Sequence, residues 1–248
     1  MKRVTALTDH WYLAGFDEEL TSPDTTVSAI ASAENWYNVC VPSDVHTVLM
    51  ENNIINDPAI GVNDIKTAWV ETQTWVYKTS FELSQQDIQS NLLELHFHGL
   101  DTYASVYLNQ EKLADCENMF IGHKLSIKEK AKVGENHLYV VFHPLSVHAQ
   151  KKQLPEGFWI NYSTERAYAR KAGYMFSWDW TPRVITIGIW RPVDLVVSEQ
   201  ATAIDEFQVF TTKLLDNGNA VLECSVQLHK DTPKNIKKQL ILSDNAGV

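Results

Sequence analysis

Apolar and polar residues alternate in short stretches along the chain, and turn residues interrupt the alternation about every ten positions. In residues 93–98, the apolar side chains fall on one strand face, and an acidic residue and two histidines fall on the other. Residues 136–143 repeat this arrangement, and further strands are expected at 76–83, 104–108 and 192–197. Helix is the minority state. The pattern predicts an antiparallel β-sandwich, a fold of the all-β class.

Turn residues and helix caps separate these strands. The run 109–112 predicts a hairpin turn, because its leading asparagine tolerates the left-handed conformation that such turns require. Residues 134–136 predict a second turn. A helix is expected over residues 43–52, where Ser43 can cap the first turn and the apolar residues share one face. A shorter helix is expected near residues 163–170.

A second unit is expected towards the C-terminus. The alternation breaks at residues 198–204 and resumes in three regularly spaced strands, at 207–212, 220–227 and 237–242, with a turn at 216–218. Strands at this spacing suit the start of a small immunoglobulin-like sandwich. The sequence stops shortly after the last of them without a closing element, so we expect a fragment of a longer protein.

The composition excludes several classes of function. Hydrophobic residues make up 44% of the chain and charged residues 21%, as in an ordinary globular protein. The net charge of −10 repels phosphate groups, so neither nucleic-acid nor membrane partners are expected. Three cysteines without a CxxC spacing predict free thiols, and there is no apolar run of secretory length. We therefore expect a cytoplasmic protein, with the periplasm as the alternative, and no cofactor or metal site.

The stretch 170–182 concentrates side chains that suit carbohydrate. Trp178, Asp179 and Trp180 are consecutive within it. Indoles offer flat apolar area with one N–H donor, and a carboxylate between them can accept from two adjacent hydroxyls of a pyranose. A single tryptophan in a β-rich protein is more often a core residue. A carboxylate between two indoles needs a partner, however, so the triplet indicates a sugar-binding site.

Other segments accompany the Trp-Asp-Trp triplet in a fixed order: 41–46, 57–58, 100–109, 118–120 and 188–192. Together with the triplet they resemble the N-terminal region of the β-mannosidases of glycoside hydrolase family 2. The similarity covers about residues 11–197. The Gly-Leu-Asp and Leu-Asn-Gln runs alone also fit the β-galactosidases and β-glucuronidases of the wider family, and the triplet is the specific part.

The resemblance implies part of a retaining exo-β-mannosidase, an enzyme that hydrolyses terminal non-reducing β-D-mannose residues. It implies a jelly-roll, galactose-binding-like sugar-binding domain over residues 1–200 and the start of an incomplete immunoglobulin-like sandwich over residues 201–248. The catalytic glutamates lie on a (β/α)₈ barrel outside this chain, so no catalytic residue is expected here and the chain alone is predicted to be inactive. The implied partners are a mannose-containing oligosaccharide and the catalytic domain of the same protein.

The resemblance also implies that the Trp-Asp-Trp loop completes the mannose pocket at the mouth of the barrel. Asp179 is then the acceptor for sugar hydroxyls and Trp178 an apolar wall. Residues i and i+2 of an extended segment share a face, so Trp180 is expected to anchor the loop in its own domain. Thr181 stands where the family has glycine before Pro182. Threonine readily adopts the extended conformation that precedes proline, but its bulk can narrow the pocket.

The remaining candidates receive structural roles. His96 and His98 lie two apart on one strand, but no third metal ligand has a suitable spacing, so a solvated strand face is expected. Structural ion pairs are expected for the basic residues near the triplet: Arg166, Arg170, Lys171 and Arg191. Packing in the core or between domains is expected for the other tryptophans named here: Trp11, Trp36, Trp69, Trp75 and Trp159.

Two functions of other classes stay open at this point. One is a stand-alone carbohydrate-binding module, because jelly-roll sandwiches commonly serve that purpose. The other is a purely structural sandwich that orients a neighbouring domain. A sugar response of the chain by itself favours the module, and indifference to mutation of Asp179 favours the structural role.

Overall fold

Antiparallel strands dominate the computed structural model, which describes residues 2–17, 20, 23–149, 154–161, 163–200, 204–228, 239 and 241. The strands are β1 (Lys2–Ala6), β2 (Trp11–Phe16), β3 (Tyr37–Val39), β4 (Thr74–Leu83), β5 (Leu92–Phe97), β6 (Ala104–Leu108), β7 (Glu111–Cys116), β8 (His123–Ser126), β9 (Gly134–Phe142), β10 (Phe176–Trp178), β11 (Thr181–Arg183), β12 (Val193–Ser198), β13 (Ile204–Leu214) and β14 (Ala220–Leu228). The α-helices are α1 (Pro23–Ser32), α2 (Val45–Glu51), α3 (Asn63–Thr67), α4 (Gln85–Gln89), α5 (Leu145–Ala149) and α6 (Glu165–Tyr168), and 3₁₀ helices span Ala68–Thr72 and Gly173–Met175.

Two sheets form the sandwich predicted from the alternation. One has four strands in the order β1-β12-β5-β8, and the other has six in the order β3-β2-β4-β9-β6-β7. All the strand pairs in both sheets are antiparallel. The hairpins β10-β11 and β13-β14 stand apart from both sheets. The predicted all-β fold class is confirmed.

The hydrophobic core lies between the two sheets. It buries all the apolar side chains that the alternation in β5 and β9 places on the inner face: Leu93, Leu95, Phe97, Leu138, Val140 and Phe142. Burying one such side chain contributes about 1.5–3 kcal/mol, so the inward-facing residues supply much of the drive to fold. A smaller cluster covers the outer face of the six-stranded sheet, where Ala29 of α1 packs with Val76 and Val141.

The predicted hairpin turn at 109–112 is confirmed. Asn109 and Gln110 have φ values of 48° and 74°, which is the left-handed pair that a two-residue turn between β6 and β7 requires. The turn predicted at 134–136 is wrong, because Gly134 is the first residue of β9. Asn136 produced the misleading signal: it lies in the strand, and its amide donates back to the Lys132 carbonyl at 2.7 Å, which closes the preceding turn.

The helix predicted over 43–52 is present as α2, but its cap is not Ser43. Asp44 has an extended backbone, and its Oδ1 accepts from the backbone N–H of His46 at 2.9 Å and of Thr47 at 3.3 Å. The helix begins at Val45, so the residue immediately before it is the one placed to cap. The second predicted helix is the single turn α6. Helices α1, α3, α4 and α5 were not predicted.

The predicted break after β12 coincides with the end of the sandwich. β12 ends at Ser198 and β13 begins at Ile204. The turn predicted at 216–218 joins β13 to β14, with Gly218 at φ 83°. The third predicted strand, 237–242, lies outside the described residues apart from 239 and 241. No helix in the described part of the chain has the length and apolar character needed to cross a membrane.

The tryptophans and cysteines divide between core and surface. Trp11 and Trp75 are buried as predicted, whereas Trp159 is 78% exposed and does not pack in the core. Packing of Trp159 between domains, the other predicted role, stays a prediction. Trp36 and Trp69 lie partly exposed at the edge of the packed regions. All three cysteines are free thiols, as predicted. Burial raises the pKa of Cys116 to about 12, so this thiol is un-ionised near neutral pH.

Candidate functional site

The Trp-Asp-Trp triplet lies at the end of a short hairpin. β10 pairs with β11 so that Phe176 faces Arg183 and Trp178 faces Thr181. Asp179 and Trp180 are therefore the two residues of the connecting turn. A turn of two residues turns its side chains outward, and both are exposed.

The two indoles of the triplet meet edge to face. Their ring centroids are 6.2 Å apart at an interplanar angle of 72°. Trp178 is 38% exposed and Trp180 is 83% exposed. The guanidinium carbon of Arg166, from α6, lies 5.5 Å from the centroid of Trp178. Trp178 is thus the indole held by its own domain.

The expectation that Trp180 anchors the loop is wrong. It assumed an extended segment, in which residues i and i+2 share a face. The chain instead reverses direction at Asp179 and Trp180, so Trp180 turns away from the domain and Trp178 stays against it. Asp179 and most of the Trp180 indole are exposed, and these are residue types that can accept from sugar hydroxyls and stack against a pyranose face.

Ser177 sets the direction in which the triplet leaves β10. Its φ is 81°, a left-handed value that is uncommon for a residue other than glycine. The Ser177 hydroxyl donates to the Thr181 carbonyl at 3.1 Å, across the hairpin. Thr181 itself lies in β11, where a β-branched residue is favourable, so the departure from glycine is compatible with the hairpin. Its effect on the width of a pocket stays a prediction.

A buried ion pair fixes the base of the hairpin. Lys171 Nζ lies 2.5 Å from Asp101 Oδ1 and 2.6 Å from Oδ2, and it also donates to the Thr186 carbonyl at 2.6 Å. The Thr186 hydroxyl donates to Asp101 Oδ2 at 2.7 Å. Burial lowers the pKa of Lys171, and the charge of Asp101 opposes that shift. The structural ion pair predicted for Lys171 is confirmed.

The backbone on either side of the ion pair is held closely. Asp101 and Gly188 exchange two backbone hydrogen bonds, of 2.9 and 3.0 Å. A Cβ at Gly188 would lie 2.6 Å from the Ser43 carbonyl oxygen and 2.7 Å from the Tyr77 hydroxyl. Glycine is therefore required here by the close approach of α2's leading residues and β4. Below the hairpin, a separate apolar cluster packs around Phe176: Tyr103, Met119, Leu145, Met175 and Ile185.

Sequence reasoning missed two residues that hold this hairpin. Asp101 belongs to the Gly-Leu-Asp run but received no partner, and a carboxylate between Leu100 and the apolar strand β6 is the signal that could have identified it. Arg183 was not considered. Its guanidinium pairs with Glu71 across 112 positions of sequence, a distance over which no local pattern operates.

His96, in β5, and His98, directly after it, each pair with a carboxylate. His96 Nε2 lies 2.8 Å from Glu94 Oε2, and His98 Nε2 lies 2.9 Å from Asp194 Oδ2. No group of three ligating residues is found among the residues described. The predicted solvated face is wrong for Glu94, which is buried. The two histidines line an open cavity of about 610 Å³ together with Glu206 of β13 and Gln227 of β14.

Comparison with known proteins identifies the domain to which this hairpin belongs. The model of the glycosyl hydrolase 2 galactose-binding domain-like family matches residues 24–191, which is more than half of the chain. The chain belongs to this family. The matched residues include the hairpin and the buried Lys171–Asp101 pair. The resemblance inferred from the sequence is confirmed.

Curated relatives of this glycosyl hydrolase 2 domain are named β-mannosidase B. The one from Emericella nidulans is 36% identical over 172 residues, which cover 67% of this chain and 20% of the relative. The one from Aspergillus niger is 30% identical over 216 residues, covering 85% of this chain and 23% of the relative. The chain thus spans about a fifth of the length of the curated relatives that it matches.

Solved structures agree with the family assignment. A β-D-mannosidase from Dictyoglomus thermophilum superimposes with a TM-score of 0.77 at 28% identity, covering 91% of this chain and 26% of that one. A β-glucuronidase from an uncultured Clostridium has a TM-score of 0.57 at 18% identity, covering 92% of this chain and 34% of that one. The second similarity shows the shared fold alone.

Proposed function

We propose that this chain is the sugar-recognition part of a retaining exo-β-mannosidase and that it completes the subsite for a terminal β-D-mannose residue. The catalytic glutamates belong to a further domain of the same protein. The observation that carries the proposal is the hairpin tip, where Asp179 and the Trp180 indole are adjacent and both exposed. The β-mannosidase names of the matched relatives support the choice of sugar.

Within this proposal the members of the triplet have different tasks. Asp179 accepts hydrogen bonds from two neighbouring sugar hydroxyls. Trp180 supplies the apolar wall, because it is 83% exposed and its face is available. Trp178 supports Trp180 through the edge-to-face contact and is held in turn by Arg166. All three residues thus serve substrate binding, with the roles first expected of the two indoles exchanged.

Replacing Asp179 in the intact protein tests the proposal. Asp179→Ala should lower kcat/KM for an aryl β-mannoside by tens to hundreds of fold, which corresponds to about 2–3 kcal/mol of lost charge-assisted hydrogen bonding. Asp216→Ala is the matched control, because it removes an exposed carboxylate from the turn between β13 and β14. An unchanged kcat/KM in Asp179→Ala rules out the proposed role.

The choice of substrate distinguishes a β-mannosidase from glycosidases of the wider family that act on other sugars. The intact protein should hydrolyse an aryl β-mannoside in preference to the matching β-galactoside and β-glucuronide. Preference for either of the other two sugars contradicts the assignment to mannose. It leaves a glycosidase of another specificity as the conclusion.

A further inference from the structure

A second ion pair joins the hairpin to a distant part of the sandwich. Arg183, in β11, donates from Nε to both carboxylate oxygens of Glu71 at 3.1 Å, and its Nη2 lies 3.1 Å from Oε2. Glu71 belongs to the 3₁₀ helix Ala68–Thr72. The Arg183 Nη1 also approaches the Ser163 hydroxyl at 3.4 Å, and the guanidinium lies 5.6 Å from the Phe176 ring centroid.

This ion pair lies beside a cavity. A space of about 220 Å³ is bounded by Glu71 and Arg183 themselves, by His46 of α2 and by Ile185 below the hairpin. Close packing is what normally fixes a side chain or a short hairpin in one orientation. On this side the arm of the hairpin borders open space, so packing constrains it less. A directional, forked Arg–carboxylate contact can supply the missing constraint.

Arg183 lies in the hairpin between its base and its tip, so the contact with Glu71 can affect the orientation of the tip. Arg183 pairs with Phe176, and the next register pair is Trp178 with Thr181, directly below the turn. The Lys171–Asp101 pair and the Val184 N–H to Met175 carbonyl bond of 3.1 Å hold the base of the hairpin. Swinging of the arm about that base would displace Asp179 and Trp180 most, because they are farthest from it.

We propose that Glu71 is a positioning residue for the Trp-Asp-Trp hairpin. Through the forked contact with Arg183, it fixes the angle at which Asp179 and Trp180 leave the sandwich, and it does not itself touch the sugar. The consequence for activity rests on the proposed function, whereas the consequence for the order of the hairpin does not.

The effects of the Glu71–Arg183 pair on global stability and on the reaction rate should differ greatly in size, and this difference distinguishes a positioning role from a stabilising one. The Arg183 and Glu71 side chains are 32% and 23% exposed, so solvent screens the pair and it contributes little to global stability. Catalysis responds far more steeply, because displacing a binding group by about 1 Å can cost on the order of a hundredfold in rate. Removal of the pair should therefore leave the melting temperature almost unchanged while loosening the hairpin.

The experiment measures hydrogen exchange and kinetics on the intact protein carrying Glu71→Gln. Exchange of the backbone amides in residues 176–183 should be several-fold faster than in the unmodified protein, with strand β4 unchanged. The kcat/KM for an aryl β-mannoside should fall by about ten- to a hundredfold. Arg183→Lys, which keeps the charge but loses the fork, should give intermediate values for both. Combining Glu71→Gln with Arg183→Gln should be no worse than either alone, because the two side chains act as one contact.

Glu135→Gln serves as the control, because it removes the same charge from an exposed position on β9. Unchanged exchange in 176–183 for both Glu71→Gln and Arg183→Lys overturns the proposal. Faster exchange with an unchanged kcat/KM also overturns the proposal if Asp179→Ala lowers kcat/KM, because the hairpin then binds sugar without the Glu71–Arg183 contact. If Asp179→Ala also leaves kcat/KM unchanged, faster exchange supports the positioning role of Glu71, and the proposed sugar site fails.

Discussion

Lys171 and Asp101 form an ion pair 70 positions apart in sequence, with the ammonium 2.5 Å from a carboxylate oxygen and neither side chain more than 2% exposed. Two charges are kept inside the protein by each other and by the Thr186 hydroxyl and carbonyl. Removing one partner of such a pair leaves the other charge buried, unpaired and unsolvated, which lowers the free energy of unfolding substantially. The pair therefore ties the base of the Trp-Asp-Trp hairpin to the loop before β6.

Removing the ammonium should destabilise the protein strongly. Lys171→Met is expected to lower the free energy of unfolding by about 3–5 kcal/mol, because Asp101 is left buried and unpaired. Replacing both residues, Lys171→Met with Asp101→Leu, should recover part of the loss. Urea unfolding measures both. The control is Lys112→Met, which breaks an exposed pair with Asp115 and should cost about 1 kcal/mol or less. Similar losses in the two lysine variants would contradict the role given to the buried pair.

Adding one methyl group at Gly188 should be damaging. Its Cβ would lie 2.6 Å from the Ser43 carbonyl oxygen, so the backbone before α2 must move. We expect Gly188→Ala to lower the free energy of unfolding by about 1–3 kcal/mol or more. Gly61→Ala is the control for adding a methyl group at a glycine in open space, because Gly61, with φ 64°, has no atom within 4 Å of the added Cβ. Thermal unfolding should rank Gly188→Ala clearly below Gly61→Ala, and the reverse order would refute the steric argument.

Stability should decrease on mild acidification, in part through His46. Burial lowers the pKa of this imidazole below its ordinary value of 6.5, with Lys171 acting in the same direction and Asp44 against it. The unfolded chain then binds the proton at higher pH than the folded protein. The free energy of unfolding therefore falls as the pH drops below about 6.5.

Urea unfolding between about pH 7 and pH 5 measures this dependence. His46→Gln should show a shallower decline than the unmodified protein, whatever its absolute stability. Part of the decline should persist, because burial also lowers the pKa of His123. His137→Gln, at an exposed position on β9, is the control. An unaltered slope in His46→Gln would show that another group carries the dependence.

We propose that residues 1–200 fold as one domain and that residues 201–248 begin the next. The buried residues of the three apolar clusters lie between Trp11 and Val197, whereas most side chains of β13 and β14 are exposed. A protein ending at residue 200 should unfold cooperatively, within a few degrees of the longer chain. One ending at residue 192 lacks β12 from the middle of a sheet and should not fold. If the protein ending at residue 200 has a melting temperature more than about ten degrees lower, the two segments form a single folding unit and the proposed boundary is wrong.

The sandwich was predictable because strand alternation is a local property. The spacing of Leu93, Leu95 and Phe97 alone predicts that they share one strand face. All three side chains are buried in the core on that face, so the local pattern and the tertiary packing are consistent. Helix α4 could also have been found. Ser84 and Asp87 form a capping box in which each side chain accepts from the other residue's backbone N–H, and this spacing is visible in the sequence.

The rest depends on contacts between distant segments. No local pattern indicates that Glu94 is buried, and nothing near Arg183 in the sequence indicates its pairing with Glu71. The triplet stands out in the sequence by residue type, but the directions of its indoles depend on the turn of the chain at Asp179 and Trp180. Residue type therefore identified the candidate site, whereas the orientation within it came from the hairpin register.

The two-residue turn has a practical consequence for altering this protein. Trp178, Asp179 and Trp180 belong to none of the three buried clusters, and the ion pairs that hold the hairpin lie below them. Substitutions at the tip should therefore leave the buried clusters and these ion pairs in place. If the proposed sugar site is correct, libraries confined to these three positions should alter sugar preference with little effect on the buried core of the sandwich.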